Sequence, residues 1–272
     1  MRPEAHPGRF GDMGTLIASQ SRVSSSLNLT AVTPRRRRAP NLMVRAGAQA
    51  YVRAQGWPAI IENQYVAVNE HVARAIADAY DALPDVETMN PLVTRAYSAF
   101  LAEIQAQFAY ATAKMGFCCD AWEHPGQPYR DSQDMMDDLR DNDHLFIFTG
   151  GEPHPFLKIT DPESGFTANE QFRFIHDLFG HSAEGYGFGP IGEENAWITH
   201  SQMFSADAQL AMTTETRGQS AWVNFGRHNY DAHGRHRNIP LADRPYATQK
   251  AALLPAMFCD WRSAWRPSCP MM

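Results

Sequence analysis

The residues with the clearest chemical potential lie at 167–181, TANEQFRFIHDLFGH, and in the segment that follows. His176 and His181 are five apart, and Glu193 and Glu194 open a further helical stretch, ENAWITHSQMF. Two neutral imidazoles and one carboxylate form the set that holds ferrous iron while leaving coordination positions open for oxygen and substrate. The same donors also suit zinc. In that case Glu193 or Asp177 is the candidate base for a metal-bound water, and the chemistry is hydrolysis. A third reading is non-enzymatic: a helical interaction protein whose histidines only pack.

The spacing imposes a condition. Zinc peptidases place two histidines four apart, so both leave one face of a helix. At a spacing of five, a straight α-helix turns the second side chain about 140° away. Convergence then requires the helix to change between the two residues. Gly180 is the expected place, through a positive φ that swings His181 back. Thr167 with Glu170 three residues later predicts a capping-box start for this helix. Phe172, Ile175, Leu178 and Phe179 predict its buried face. Phe174, Tyr186, Phe188 and Trp197 add aromatic bulk nearby, and a dry surround suits oxygen chemistry.

HDLFGH resembles the HELLGH motif of the pterin-dependent aromatic amino acid hydroxylases. The likeness extends to FLKITDPESGFTANEQF upstream. Downstream, Glu194 stands about as far ahead of Glu215 in MTTETRGQ as the family's ligand glutamate stands ahead of a second glutamate. The resemblance covers about 155–225 and is local. It implies a hydroxylase-like fold, Fe(II) bound by His176, His181 and Glu194, and monooxygenation of an aromatic amino acid or related small molecule with O2. Tetrahydropterin is the implied reductant. Glu193 is the fallback third ligand. Asp177 takes the place of the motif's glutamate, beside the pterin, and Trp197 is a second candidate for the cofactor. The interval from His181 to Glu194 is shorter than the family's. The family's upstream carboxylate-gripping arginine has no clear match, and Thr160 or Lys158 falls in that region. Separately, Glu215 and Arg217 read as a buried polar pair or a helix end, with a substrate-carboxylate contact at Arg217 as the sharper alternative, since arginine grips carboxylates bidentately.

A second histidine cluster, RHNYDAHGRHR, holds His228, His233 and His236 among Arg227, Arg235 and Arg237. Positive neighbours disfavour a divalent cation, so this segment reads as a basic loop suited to an anion.

The elements that must position these groups are mainly helical. Apolar residues at helical spacing predict helices near 72–83, 93–111, 131–140, 168–179, 194–204, 205–216 and 246–258, and 41–66 reads as mixed. LFIFT predicts a short strand, and FLKI a further one. The fold class is therefore mainly α, with one or two short strand pairs. The 272 residues carry a net charge of −6, unevenly spread. Residues 1–40 hold seven arginines against Glu4 and Asp12, and read as a disordered basic leader: an early start ahead of Met13 or Met43, a transit peptide, or a contact arm built on Arg35–Arg38. Residues 41–272 read as one catalytic domain with 17 basic against 28 acidic residues. That acidity argues against nucleic acid as the main partner. No apolar run is long enough for a membrane span. Four cysteines without a disulfide pattern indicate the cytoplasm.

Overall fold

The computed structural model describes residues 38–61, 65–151, 153–240 and 243–264. The chain is mainly helical, as its periodicity predicts. Helix α1 (Leu42–Ala54) is followed by α2 (Glu70–Asp81) and by the long α3 (Pro91–Ala109), which runs into a π-helical turn, Tyr110–Lys114. Strand β1 (Cys118–Trp122), α4 (Ser132–Asn142) and β2 (His144–Phe148) come next. After a loop come α5 (Ala168–Ile175), a π-helical turn His176–Ser182, α6 (Pro190–Ser201) and α7 (Ala206–Thr213). A third π-helical turn, Thr214–Gly218, leads into α8 (Gln219–Phe225).

Local chemistry sets the helix starts. Asn41, Asn69, Asn90, Asp131 and Ser205 each accept backbone N–H bonds as N-caps of α1, α2, α3, α4 and α7. Thr167 and Glu170 form the expected capping box on α5, each side chain taking the other's backbone N–H. Asp143 ends α4 in the left-handed conformation and delivers the chain directly into β2.

Among the described residues there is one strand pair, β1–β2, and it is parallel, with Cys118 opposite His144 and Trp122 opposite Phe148. Parallel strands need a crossover, which α4 supplies. Helix α3 runs through the core, burying Val93, Ala96, Phe100, Ile104 and Phe108 against α5 and α7. Phe100, Phe172 and Phe204 meet in a cluster with centroids 4.8–6.4 Å apart, and this cluster backs the helix that carries His176.

Three segments differ from the sequence reading. The segment 41–66 begins with the regular helix α1, whose buried Val44, Ala48, Tyr51 and Val52 follow helical spacing. FLKI is not a strand: His154 Nδ1 accepts the backbone N–H of Phe156 and Leu157 and curls that segment into a turn, leaving only an isolated bridge from Thr160 to Thr167. Residues 246–258 form no long helix. The Leu254 N–H instead donates to the Thr214 hydroxyl, Ala251 donates to the Asp85 carbonyl and accepts from the Glu87 N–H, and only Ala256–Phe258 makes a 3₁₀ turn.

Most of the basic leader lies outside the described residues. Its last three members, 38–40, belong to the fold. The Arg38 N–H donates to the Gly185 carbonyl, and Asn41 donates to Ser182 just beyond the second histidine. Arg45 pairs with buried Glu184 at 2.6 Å, tying α1 to the same loop.

Candidate metal centre

The spacing problem is solved by the π-helix rather than by Gly180's φ. From His176 to Ser182 the backbone follows the wider winding, with Ala183 N–H bonded to Leu178 C=O. Bonds from i to i+5 bring residues five apart into the relation that i and i+4 hold in an α-helix. His176 and His181 thus share a face, with ring centroids 5.0 Å apart and ring planes nearly perpendicular. Gly180 is needed for a different reason from the one expected. Its φ is not positive, but a Cβ there would sit 3.1 and 3.2 Å from Nδ1 and Cε1 of His176. Only a missing side chain leaves that ring its place.

The carboxylate comes from α6, whose first turn approaches the π-helical turn closely. Pro190 stands at its first position after Gly189. Gly192 is packed so tightly against the Gly187 carbonyl that a Cβ there would overlap it. The Gly-rich run EGYGFGPIG is what permits this approach, and Glu193 follows at once.

The third member of the cluster is Glu193. Its carboxylate oxygens lie 3.5 Å from His181 Nε2 and 3.9 Å from His176 Nε2, and all three residues are buried. The assignment of Glu194 as ligand is therefore corrected. Successive α-helical residues point about 100° apart, so only one of two adjacent glutamates can face the π-helical turn. Glu194 faces the other way and forms a two-point ion pair with Arg217, at 2.5 and 3.0 Å. The candidate roles of Arg217 and Trp197 fall with it. The Arg217 guanidinium is occupied by Glu194 and the Phe258 carbonyl, and lies 4.1 Å from the centre of the Trp197 ring. It is not available to a substrate carboxylate. Trp197 is fully buried beneath it, with its indole N–H on Thr213, and presents no open face to a cofactor.

These three side chains are arranged so that they could hold a metal ion. His176 Nε2, His181 Nε2 and Glu193 Oε1 are all buried without a hydrogen-bond partner. Buried polar atoms ordinarily find partners, so three convergent orphans call for an occupant. Burial lowers the His176 pKa, overriding the pull of Glu193. Burial also opposes protonation of His181, but the Glu193 and Asp177 carboxylates outweigh it and hold that imidazole above its usual value. Burial pushes Glu193 up, and the two imidazoles more than offset this, holding it below the ordinary carboxylate range.

Asp177 is buried beside this cluster, with Oδ1 unpartnered. Burial pushes its pKa up to about 7, with Glu193 adding to the rise and His181 and Arg173 opposing it. Phe188 walls one side, its ring centroid 5.1 Å from that of His181.

His200 was not singled out by the sequence reading. It sits two helical turns after Glu193, on the same face of α6, and its Nδ1 lies 3.1 Å from His176 Nδ1. That seven-residue interval is the signal that could have found it. Burial, and then the two neighbouring histidines, hold its pKa well below the usual value. Glu215 and Arg217, neighbours in the third π-helical turn, serve separate partners. Glu215 accepts from Tyr97 and Gln219 and lies 3.2 Å from His154 Nε2.

Comparison with known proteins returns no match: no family model, no curated protein and no solved structure aligns with this chain. Among the described residues no helix is long and apolar enough to cross a membrane.

Proposed function

We propose that this chain is a mononuclear non-haem iron(II) monooxygenase that hydroxylates a small molecule with O2. An aromatic amino acid or a close relative is the first substrate to test. One observation carries the reading: the buried, partnerless convergence of His176 Nε2, His181 Nε2 and the Glu193 carboxylate. Two nitrogens and one oxygen would leave positions open on a six-coordinate ion, and this favours iron over a closed structural zinc site. When bound, the iron supplies oxygen activation.

The protein's own part follows from the residues around it. Glu193 provides the negative charge, and the two imidazoles complete the donor set. Phe172, Phe188 and the aromatic core behind them exclude water from the reacting groups. Asp177, with one buried oxygen unpartnered, is placed to accept an N–H or O–H from a molecule brought to the site. Tetrahydropterin is a reductant to test rather than a fitted cofactor, because Trp197 offers it no face. Cys118, Cys119 and Cys259 are free thiols, which suits a cytoplasmic enzyme.

The test is metal analysis of protein purified without oxygen, followed by oxygen uptake with a panel of aromatic amino acids, with and without a tetrahydropterin. Iron near one equivalent and substrate-dependent uptake are expected. A metal-free protein whose thermal stability does not respond to added Fe(II) would contradict the proposal. Full zinc occupancy without oxygen uptake would replace it with a hydrolase using the same ligands.

A further inference from the structure

We propose that Gln107 and His200 are positioning residues that fix the proton of His176 on Nδ1, so that its Nε2 lone pair faces the Glu193–His181 cluster. The argument starts at the far end of a buried chain of hydrogen bonds. Gln107, on α3, donates from Nε2 to the Met203 carbonyl at 2.9 Å. That bond settles the orientation of the amide, because a flipped Gln107 would set its oxygen against a carbonyl oxygen. Gln107 Oε1 therefore faces His200 Nε2, 2.9 Å away, and an amide oxygen can only accept. His200 must carry a proton on Nε2.

His200 is neutral for a structural reason. Its ring lies among Phe172, Phe179 and Phe204, with centroids 5.0–6.3 Å away. A buried imidazolium there would lack a compensating carboxylate. With Nε2 protonated, Nδ1 is a lone pair. The contact at 3.1 Å to His176 Nδ1 then requires the proton on the His176 side. The remaining nitrogen, His176 Nε2, is left with its lone pair facing the cluster, 3.9 Å from Glu193 Oε2, an arrangement suited to a cation between them and not to a hydrogen bond.

Each step is forced by the one before it, and all four residues are buried, so water cannot substitute. The anchor lies on α3, the relay on α6 and the reader on the π-helical turn. The packing of three elements thus sets one tautomer. A histidine ligand usually has its second nitrogen held by a carboxylate, a carbonyl or water. Here a neutral imidazole and an amide do this, and no negative charge is placed behind the ligand.

The metal consequence rests on the reading of the cluster as a metal site; the tautomer does not. The test is therefore made on metal-free protein labelled with 15N-histidine, at pH 7.5, by long-range 1H–15N correlation. Signals are assigned by the loss of each in His176→Ala and His200→Phe. In the wild type, His176 should appear as the Nδ1–H form and His200 as the Nε2–H form. His176 found as Nε2–H would overturn the proposal, and no folded relay variant is needed for that result. In Gln107→Leu the His176 tautomers should mix, and Co(II) should bind about 10–100-fold more weakly. A pure Nδ1–H signal for His176 in both Gln107→Leu and His200→Phe would also overturn it. If the wild type has the stated tautomers yet binds no Co(II), the relay stands and the metal reading fails.

Discussion

The chain carries two histidine pairs at the same spacing, His176/His181 and His228/His233, with opposite outcomes. The first lies on a π-helical turn, buried, with both rings meeting Glu193. In the second, His228 is in the 3₁₀ turn Arg227–Asn229 and His233 is in an exposed turn after Tyr230. The His228 ring lies tilted against Trp222 and is held by Val223 and Asn229, while His236 bonds Asn238. The neighbours differ as well. Asp177 and Glu193 surround the first pair, and Arg227, Arg235 and Arg237 flank the second. Spacing alone therefore says little. A backbone that winds at the same period as the spacing is what brings the first two rings together beside a buried carboxylate.

The largest effect should separate the two pairs directly. His176→Ala or His181→Ala should abolish stoichiometric binding of Co(II) or Fe(II), whereas His228→Ala and His233→Ala should leave it intact. Calorimetric titration of the four variants reads this. Equal losses in both pairs would erase the distinction.

The acidic setting can be tested through Asp177. Its folded pKa, about 7, lies above the ordinary aspartate value near 3.9. Between these values the folded metal-free protein keeps a proton that the unfolded chain has released. Stability therefore falls as pH rises across that window, with a full cost on the order of 4 kcal/mol above pH 7. Asp177→Asn should raise the metal-free melting temperature at pH 8 and change it little near pH 4. A gain of equal size at both pH values would show that Asp177 is not held protonated.

A smaller effect probes the π-helical turn. Gly180→Ala puts a methyl group 3.1 Å from His176 Nδ1, so the ring must shift by a few tenths of an ångström. Metal affinity should fall about 10–100-fold, comparable to the loss of an outer partner, with the protein still folded. Unchanged affinity would mean that the His176 ring position is not critical. The equivalent change at the second pair, Gly234→Ala, meets no neighbouring atom but strains a positive φ, and should alter stability slightly and metal binding not at all.

Local rules explain what could be read in the sequence. The capping box at Thr167, the helices α2 to α7 and strand β2 follow from side-chain periodicity and from residues that bond their own backbone. His176 and His181 were legible as a pair because their types are unusual together. Their convergence was not, because a π-helix is a tertiary outcome with no simple residue code. The choice between Glu193 and Glu194 was equally hidden. It depends on the rotation of α6, which is set where Gly192 meets Gly187 and where Arg217, 23 residues on, claims Glu194. β1 and the extended 246–258 segment depend on partners far along the chain, Asp143 and β2 for one, Thr214 and Asp85 for the other.

The two glutamates give the most direct test of the central claim, that His176, His181 and Glu193 together hold a metal ion. Co(II) titration of anaerobic wild type, Glu193→Ala and Glu194→Ala, with melting curves beside it, sets them against each other. The account predicts one equivalent bound by wild type and by Glu194→Ala, and none by Glu193→Ala. It also predicts that Glu194→Ala loses about 3–5 kcal/mol of stability, because Arg217 is left buried without its partner. Binding lost in Glu194→Ala and kept in Glu193→Ala, or no binding by the wild type, would contradict it.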